Sequence, residues 1–330
     1  MKILVTGASG FIGGRFARFA LEQGLDVRVN GRRAESVEHL VRRGAQFIQG
    51  DLSDAMLALD LCRDVEAVVH CAGAVGLWGR YQDFHQGNVE VTENIVEACL
   101  KQKVRRLVHL SSPSIYFDGR DHLGLTEDQV PQRFNHPYAA TKYLAEQKVF
   151  GAQEFGLEVL ALRPRFVTGA GDMSIFPRLL KMQRKGRLAI VGNGLNKVDF
   201  TSMQNLNQAL LNSLFADAGA LGKAYNISNG APVPLWDVVN YVMRKMDVPQ
   251  VRRYRSYKLA YSIAAVNEGA CALWPGRPEP TVSRLGMQVM NRHFTLDIRR
   301  ARQYLDYDPS VSLWTALDEF CAWWQGQEAR

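Results

Sequence analysis

Much that would narrow a reading at once is missing from this chain of 330 residues. Its five cysteines, Cys62, Cys71, Cys99, Cys271 and Cys321, are odd in number, widely spaced and without a CxxC. That excludes a disulfide framework and a thiolate zinc site, and it fits a reducing compartment. The seven histidines show no metal-ligand spacing, so no metal is expected. No uninterrupted apolar run reaches about eighteen residues, and no transmembrane span is predicted. The chain opens on a strand-like MKILVTG and not on a signal peptide, which makes a cytoplasmic location the expectation. A basic tract is absent too. Forty Lys and Arg against thirty-three Asp and Glu leave +7, scattered in pairs such as Arg32-Arg33 and Arg299-Arg300. Such scatter suits anionic small molecules and argues against a nucleic-acid partner. Repeats and low-complexity stretches are also lacking.

What is present is a 47% hydrophobic content, ample for a substantial core. Short β-branched runs (Lys2 to Thr6, Val27 to Asn30, Gln46 to Gln49, Ala67 to Cys71, Leu107 to Ser111, Val159 to Arg163) alternate with helical patterns. Strands lacking polar alternation and separated by helices predict an α/β fold, a doubly wound parallel sheet of Rossmann type, covered on both faces. Past Arg163 the text becomes helix-rich and punctuated by Gly and Pro. We place the dinucleotide-binding domain at 1–165 and a smaller substrate lobe at 166–330, with the stretch near 195–230 able to rejoin the first through strand-like Lys223 to Ile227.

Directly after the first strand, Thr6-Gly7-Ala8-Ser9-Gly10-Phe11-Ile12-Gly13 spaces its glycines as G-x-x-G-x-x-G. Gly7 allows a tight turn, Gly10 a close approach of backbone to a pyrophosphate, and Gly13 close helix-on-strand packing at a helix N-terminus. A site selective for NAD places a carboxylate at the end of the second strand. Here that end reads Val29-Asn30-Gly31-Arg32-Arg33. Two guanidiniums where a 2′-phosphate would lie favour NADP, with NAD still accommodated; the plainer alternative is that Arg32 and Arg33 begin a surface helix. Asp51-Leu52 and Ala72-Gly73, after the third and fourth strands, are further cofactor candidates.

Tyr138-Ala139-Ala140-Thr141-Lys142 sets a phenol and an ammonium four residues apart, on one helix face. A neighbouring cation favours the phenolate and lowers the barrier to proton transfer. The same spacing is common on helix surfaces, so the pair gains weight only from Ser111-Ser112-Pro113-Ser114 at the end of the fifth strand. A hydroxyl from there could bond a substrate oxygen.

Taken in order, TGASGFIG, DL, CAG, SSPS and YAATK resemble the extended short-chain dehydrogenase/reductase family along nearly the whole chain. The resemblance implies hydride transfer between a nicotinamide and a secondary alcohol or ketone. It makes Tyr138 the acid/base, Lys142 its partner and Ser112, ahead of Ser111, the polarising hydroxyl, and it makes Asn88 a structural anchor. The strings Trp78-Gly79-Arg80-Tyr81, Leu162-Arg163-Pro164, Lys197-Val198-Asp199-Phe200 and Tyr225-Asn226-Ile227-Ser228-Asn229-Gly230 are similar to the 3β-hydroxysteroid dehydrogenase branch, and nearest to bacterial 2-alkyl-3-oxoalkanoate reductases. From this likeness Pro164 and Val167 are expected beside the nicotinamide, Trp78 and Ser114 beside the substrate.

Arg252-Arg253-Tyr254-Arg255 leads into an apolar helix from Tyr257 to Trp274. We expect that helix to roof a lipophilic cleft through Leu259 and Ile263, or else to be packed core, with a peripheral membrane contact and a homodimer left open. The activity expected is an NAD(P)-dependent oxidoreductase interconverting a 3-oxo and a 3-hydroxy group on a hydrophobic small molecule, a 2-alkyl-3-oxo acid or a sterol-like body. The alternatives are a nucleotide-sugar epimerase or dehydratase, and a protein that senses NADP without turnover.

Overall fold

The computed structural model describes residues 1–276 and 278–328. Seven parallel strands form the main sheet, in the spatial order Lys223–Ile227, Glu158–Pro164, Arg106–Leu110, Ala67–His70, Lys2–Thr6, Asp26–Gly31 and Gln46–Gln49. The order reverses between Lys2–Thr6 and Ala67–His70, which opens a crevice at their carboxyl ends, the usual ligand position in such sheets. Alternate residues of one strand serve opposite faces. Ile3 and Val5 pack with Phe16, Ala17, Leu206 and Leu210 on one side, while Leu4 packs with Leu61, Ile95, Cys99 and Val149 on the other. Both faces are therefore apolar, which is why these strands read as continuous hydrophobic runs.

The helix Met203–Phe215 and the strand Lys223–Ile227, though late in the chain, belong to this main layer. A separate core gathers Phe176, Leu180, Trp236, Val239, Leu317 and Phe320 from the helices Phe176–Arg184, Leu235–Lys245 and Leu313–Glu328, with Phe200 from the loop before Thr201–Ser202. Trp323 and Trp324 pack against it. A small second sheet pairs Phe294–Leu296 with His122–Leu125 and with Lys197–Val198. There the buried Asp199 carboxylate accepts from the Leu296 N–H at 2.6 Å. All five cysteines are free. Among the described residues no helix is long and apolar enough to cross a membrane.

Candidate active site

The glycine loop is built for close approach. Gly7 has φ +67°, and a Cβ there would lie 2.8 Å from the Ala72 backbone; at Gly13 a Cβ would meet the Gly7 carbonyl oxygen at 2.6 Å. Only hydrogen fits either place. Gly10 begins the helix Phe11–Glu22 with no side-chain cap, so the first amides, Phe11 and Ile12 among them, face outward for an anion. Ser9 packs on Gly31, whose Cβ would be 3.0 Å from the Ser9 hydroxyl. That brings the loop next to the end of the second strand. Arg32 lies there, exposed, 3.7 Å from the Asp51 carboxylate; Arg33 is also exposed, and Leu52 is buried beside them. Asn30 spends its amide on the Ile48 and Gly50 carbonyls, which ties the second strand to the third. Asp51 is held below the usual carboxylate range, chiefly by the Ser53 N–H.

The loop after the fourth strand continues the strip. The Ala72 N–H donates to Thr6 Oγ1 at 3.2 Å, and a Cβ on Gly73 would lie 2.9 Å from Asn88 Oδ1 and 3.8 Å from Lys142 Nζ. Asn88 accepts from the Ala74 N–H and donates to Thr141, a brace between this loop and the helix Pro137–Gly151. That helix starts at a cap sequence reasoning missed: His136 Nδ1 accepts from the Tyr138 N–H at 3.1 Å, its Nε2 donates to the Leu77 carbonyl at 3.0 Å, and Pro137 follows. The signal was available in the His-Pro pair ahead of the tyrosine.

From this helix Lys142, buried, donates to the Leu110 carbonyl at 2.6 Å. Ser112 lies near enough to the Tyr138 hydroxyl to favour the phenolate, and its own hydroxyl accepts from the Ser114 N–H at 3.2 Å. Gly7, Ala72, Gly73, Lys142, Tyr138 and Ser112 thus form one continuous strip along the carboxyl ends of the sheet. Ser111 is buried with its hydroxyl unpartnered among the described residues, as is that of Ser114. Pro164 ends its strand opposite Ile227, and Val167 pairs with Thr201 just beyond. Half-buried Trp78 sits in the loop whose Leu77 carbonyl His136 holds. Phe84 covers Tyr138, with ring centroids 5.9 Å apart.

The electrostatics correct one expectation. Burial pushes the Tyr138 phenol up, opposed by the Ser112 hydrogen bond, and Lys142 is not what lowers it. Desolvation of the phenol is the larger of the two effects. Burial also drops Lys142 to about 8, against the pull of Glu146. His70 lies behind the strip, its ring between Thr6 and Thr92, and burial takes it down to about 3. It is a satisfied neutral histidine. No cluster of three His, Cys, Asp or Glu suited to a metal occurs among the described residues.

A second correction concerns Leu259 and Ile263. The helix Tyr257–Leu273 turns Ala264 and Glu268 inward. Leu259 and Ile263, 52% and 53% exposed, lie on the opposite side. Helical spacing separates the two sets by roughly half a turn, so these two side chains do not face the strip. Nor is the helix packed core.

Comparison with known proteins agrees with this geometry. The family model described as NAD dependent epimerase/dehydratase family matches residues 3–228. A 2-alkyl-3-oxoalkanoate reductase from Stenotrophomonas maltophilia is 39% identical, with 95% of this chain and 96% of the relative covered. The mouse sterol-4-alpha-carboxylate 3-dehydrogenase, decarboxylating, is 30% identical over 96% of this chain and 89% of its own. The fold is shared with UDP-glucuronic acid 4-epimerase from Bacillus cereus, solved with UDP-glucuronic acid and NAD, at a TM-score of 0.79 and 23% identity, covering 99% of this chain and 100% of that one. With the strip and the fold in agreement, the chain belongs to the NAD dependent epimerase/dehydratase family, the extended short-chain dehydrogenases/reductases.

Proposed function

We propose that this chain is an NADP-preferring oxidoreductase that interconverts the 3-oxo and 3-hydroxy groups of a hydrophobic substrate, a 2-alkyl-3-oxo acid or a sterol-like molecule. The observation that carries the reading is the unbroken strip from Gly7 through Gly73 and Lys142 to Tyr138 and Ser112; likeness to the named reductase along almost the full length supports it. The glycine cradle fits a dinucleotide, since the spaces a Cβ would fill lie beside an uncapped helix N-terminus. When bound, a nicotinamide supplies or takes up the hydride. Gly7, Ser9, Gly10, Phe11, Ile12 and Gly13 would hold its pyrophosphate, and Asp51, Leu52, Ala72, Gly73, Pro164 and Val167 would border the rest. Tyr138 holds the proton that the substrate oxygen gains on reduction. Ser112 hydrogen-bonds that oxygen, and Lys142 keeps a positive charge near the phenol as it loses the proton. Trp78 and Ser114 would flank the substrate beyond Tyr138. In this division residues 1–165 serve the cofactor and 166–330 the substrate, apart from the part of the 195–230 stretch, Met203–Phe215 and Lys223–Ile227, that packs on the main sheet.

The test is NADPH and NADH oxidation across 2-alkyl-3-oxo acids, 3-oxo steroids and nucleotide sugars. Turnover of the first or second class is expected, and Tyr138→Phe should reduce it by on the order of a hundredfold or more while cofactor affinity stays. Turnover of nucleotide sugars alone would replace the reading with an epimerase. Cofactor binding without turnover of any class would replace it with a sensor. For cofactor choice, the exposed guanidiniums of Arg32 and Arg33 support NADP. Replacing both by Ala should weaken NADPH roughly tenfold or more and leave NADH nearly unchanged; an equal loss for both cofactors would refute the preference.

A further inference from the structure

The helix Tyr257–Leu273 carries an apolar stripe that the fold leaves uncovered. Leu259, Ile263, Val266, Ala270 and Leu273 recur at intervals of four and three residues, on one face and over about 21 Å. Val266 is 74% exposed and Leu273 90%. Exposed aromatic residues stand at both ends, Tyr254 before the helix and Trp274 after it. The helix has a single acid, Glu268, which points inward and is spent on Arg284. Its outer face therefore holds no negative charge.

The cations gather at one end. Arg252, Arg253, Arg255 and Lys258 are exposed. Pairing of Tyr254–Arg255 with Ile190–Val191 sets them beside exposed Lys185 and Arg187, and Arg253 donates to the Gly186 carbonyl. The acids nearby are committed to other partners, Glu279 to Arg178 and Glu328 to Arg184. Cations at a helix N-terminus oppose the helix dipole, so Arg255 and Lys258 do not serve the helix itself. An apolar stripe in water and a cluster of cations with no carboxylate partner among the described residues are each unfavourable alone. A surface that offers an apolar phase next to fixed anions satisfies both together.

We propose that the helix Tyr257–Leu273, with its basic lead-in Arg252–Arg255, docks on an anionic phospholipid surface. A second copy is a poorer complement. Across a two-fold axis, antiparallel helices would set the cationic end of one on the Leu273–Trp274 end of the other, where the helix itself carries no carboxylate, and a parallel pair would set cations on cations. Tyr254 and Trp274 have the amphipathic rings that favour the headgroup level. The inner side of the helix lies toward the catalytic mouth, since the charge of Glu268 acts on His136, the cap of the Tyr138 helix. The proposal does not depend on the reductase reading, and its test uses neither substrate nor cofactor.

The purified protein is floated with vesicles of phosphatidylcholine alone and of phosphatidylcholine mixed with phosphatidylglycerol. Wild type should float with the mixed vesicles and be released by high salt. Val266→Asp should reduce flotation by on the order of tenfold or more with an unchanged melting temperature, and Arg252→Glu with Arg255→Glu should abolish the preference for the anionic lipid. Absence from the floating fraction with both lipids would overturn the proposal, as would undiminished flotation of Val266→Asp. A wild-type dimer in light scattering that Val266→Asp turns into a monomer would also overturn it, because a second copy would then cover the face.

Discussion

Two helices of this chain reverse the usual rule of apolar inside and polar outside, and they do so in opposite senses. Pro137–Gly151 buries charge: Lys142 and Glu146 lie inside it, with Thr141. Tyr257–Leu273 exposes hydrocarbon. In the first helix every inverted group has a partner within the molecule. Lys142 reaches Leu110, Thr141 meets Asn88, and Glu146 grips Arg163, which in turn holds Tyr116 and the Glu127 carbonyl. In the second, the apolar stripe is left largely exposed among the described residues. The contrast teaches that an inversion closed within the fold serves chemistry inside it, while an inversion left open is addressed to something outside.

The comparison can be broken where the first helix is most committed. Glu146→Ala leaves the Arg163 guanidinium buried and unpaired, so a loss of about 3–5 kcal/mol is expected in urea unfolding, and Glu146→Gln should cost less. A loss below about 1 kcal/mol for the alanine variant would mean that the pair is not holding the helix in place. Next comes Lys142. Its pKa in the folded protein is near 8, below the ordinary 10.5. Between those values the unfolded chain binds the proton the native state has released, so this group makes stability rise with pH across that window. Lys142→Met removes the effect. The stability gap between variant and wild type should move in favour of wild type by up to roughly 3 kcal/mol from pH 7 to pH 10.5, and a gap constant with pH would show that the ammonium is not desolvated. The smallest effect belongs to the second helix: Val266→Ser should change stability by no more than about 0.5 kcal/mol, and a larger loss would mean that the stripe is covered within the fold.

The sheet was legible in the sequence because strands covered on both faces read as unbroken apolar runs, and the glycine loop because Gly7 and Gly13 occupy places no side chain can enter. The relation of Tyr138 to Lys142 followed from helical spacing alone. Spacing could not say which side of Tyr257–Leu273 faces inward, since apolar residues occur nearly all round that helix, and Leu259 and Ile263 were chosen where Ala264 and Glu268 turn in. Nor could local pattern find the second sheet, whose strands of two to four residues exist only through distant partners. The upward push of burial on the Tyr138 phenol is not legible in the motif for a related reason: burial is a property of the assembled cleft.

The pairing of His122–Leu125 with Phe294–Leu296 also sets a timetable. The Gly124 N–H donates to Thr295 across 171 residues, and Phe294 and Leu296 complete the cluster of Ile115, Tyr116, Phe117 and Leu125 just beyond Ser112. Loop-closure entropy grows only slowly with length, about 0.6 kcal/mol for each doubling, so the delay lies in synthesis and search more than in cost. On the ribosome, the segment after Ser112 waits for its covering strand until Phe294–Leu296 has emerged, while the Lys2–Thr6 strand can already pair with Asp26–Gly31 and Ala67–His70. A nascent chain stopped short of Phe294 therefore carries most of the parallel sheet and an open apolar wound beside it, the kind of surface that chaperones hold and that aggregates when they do not.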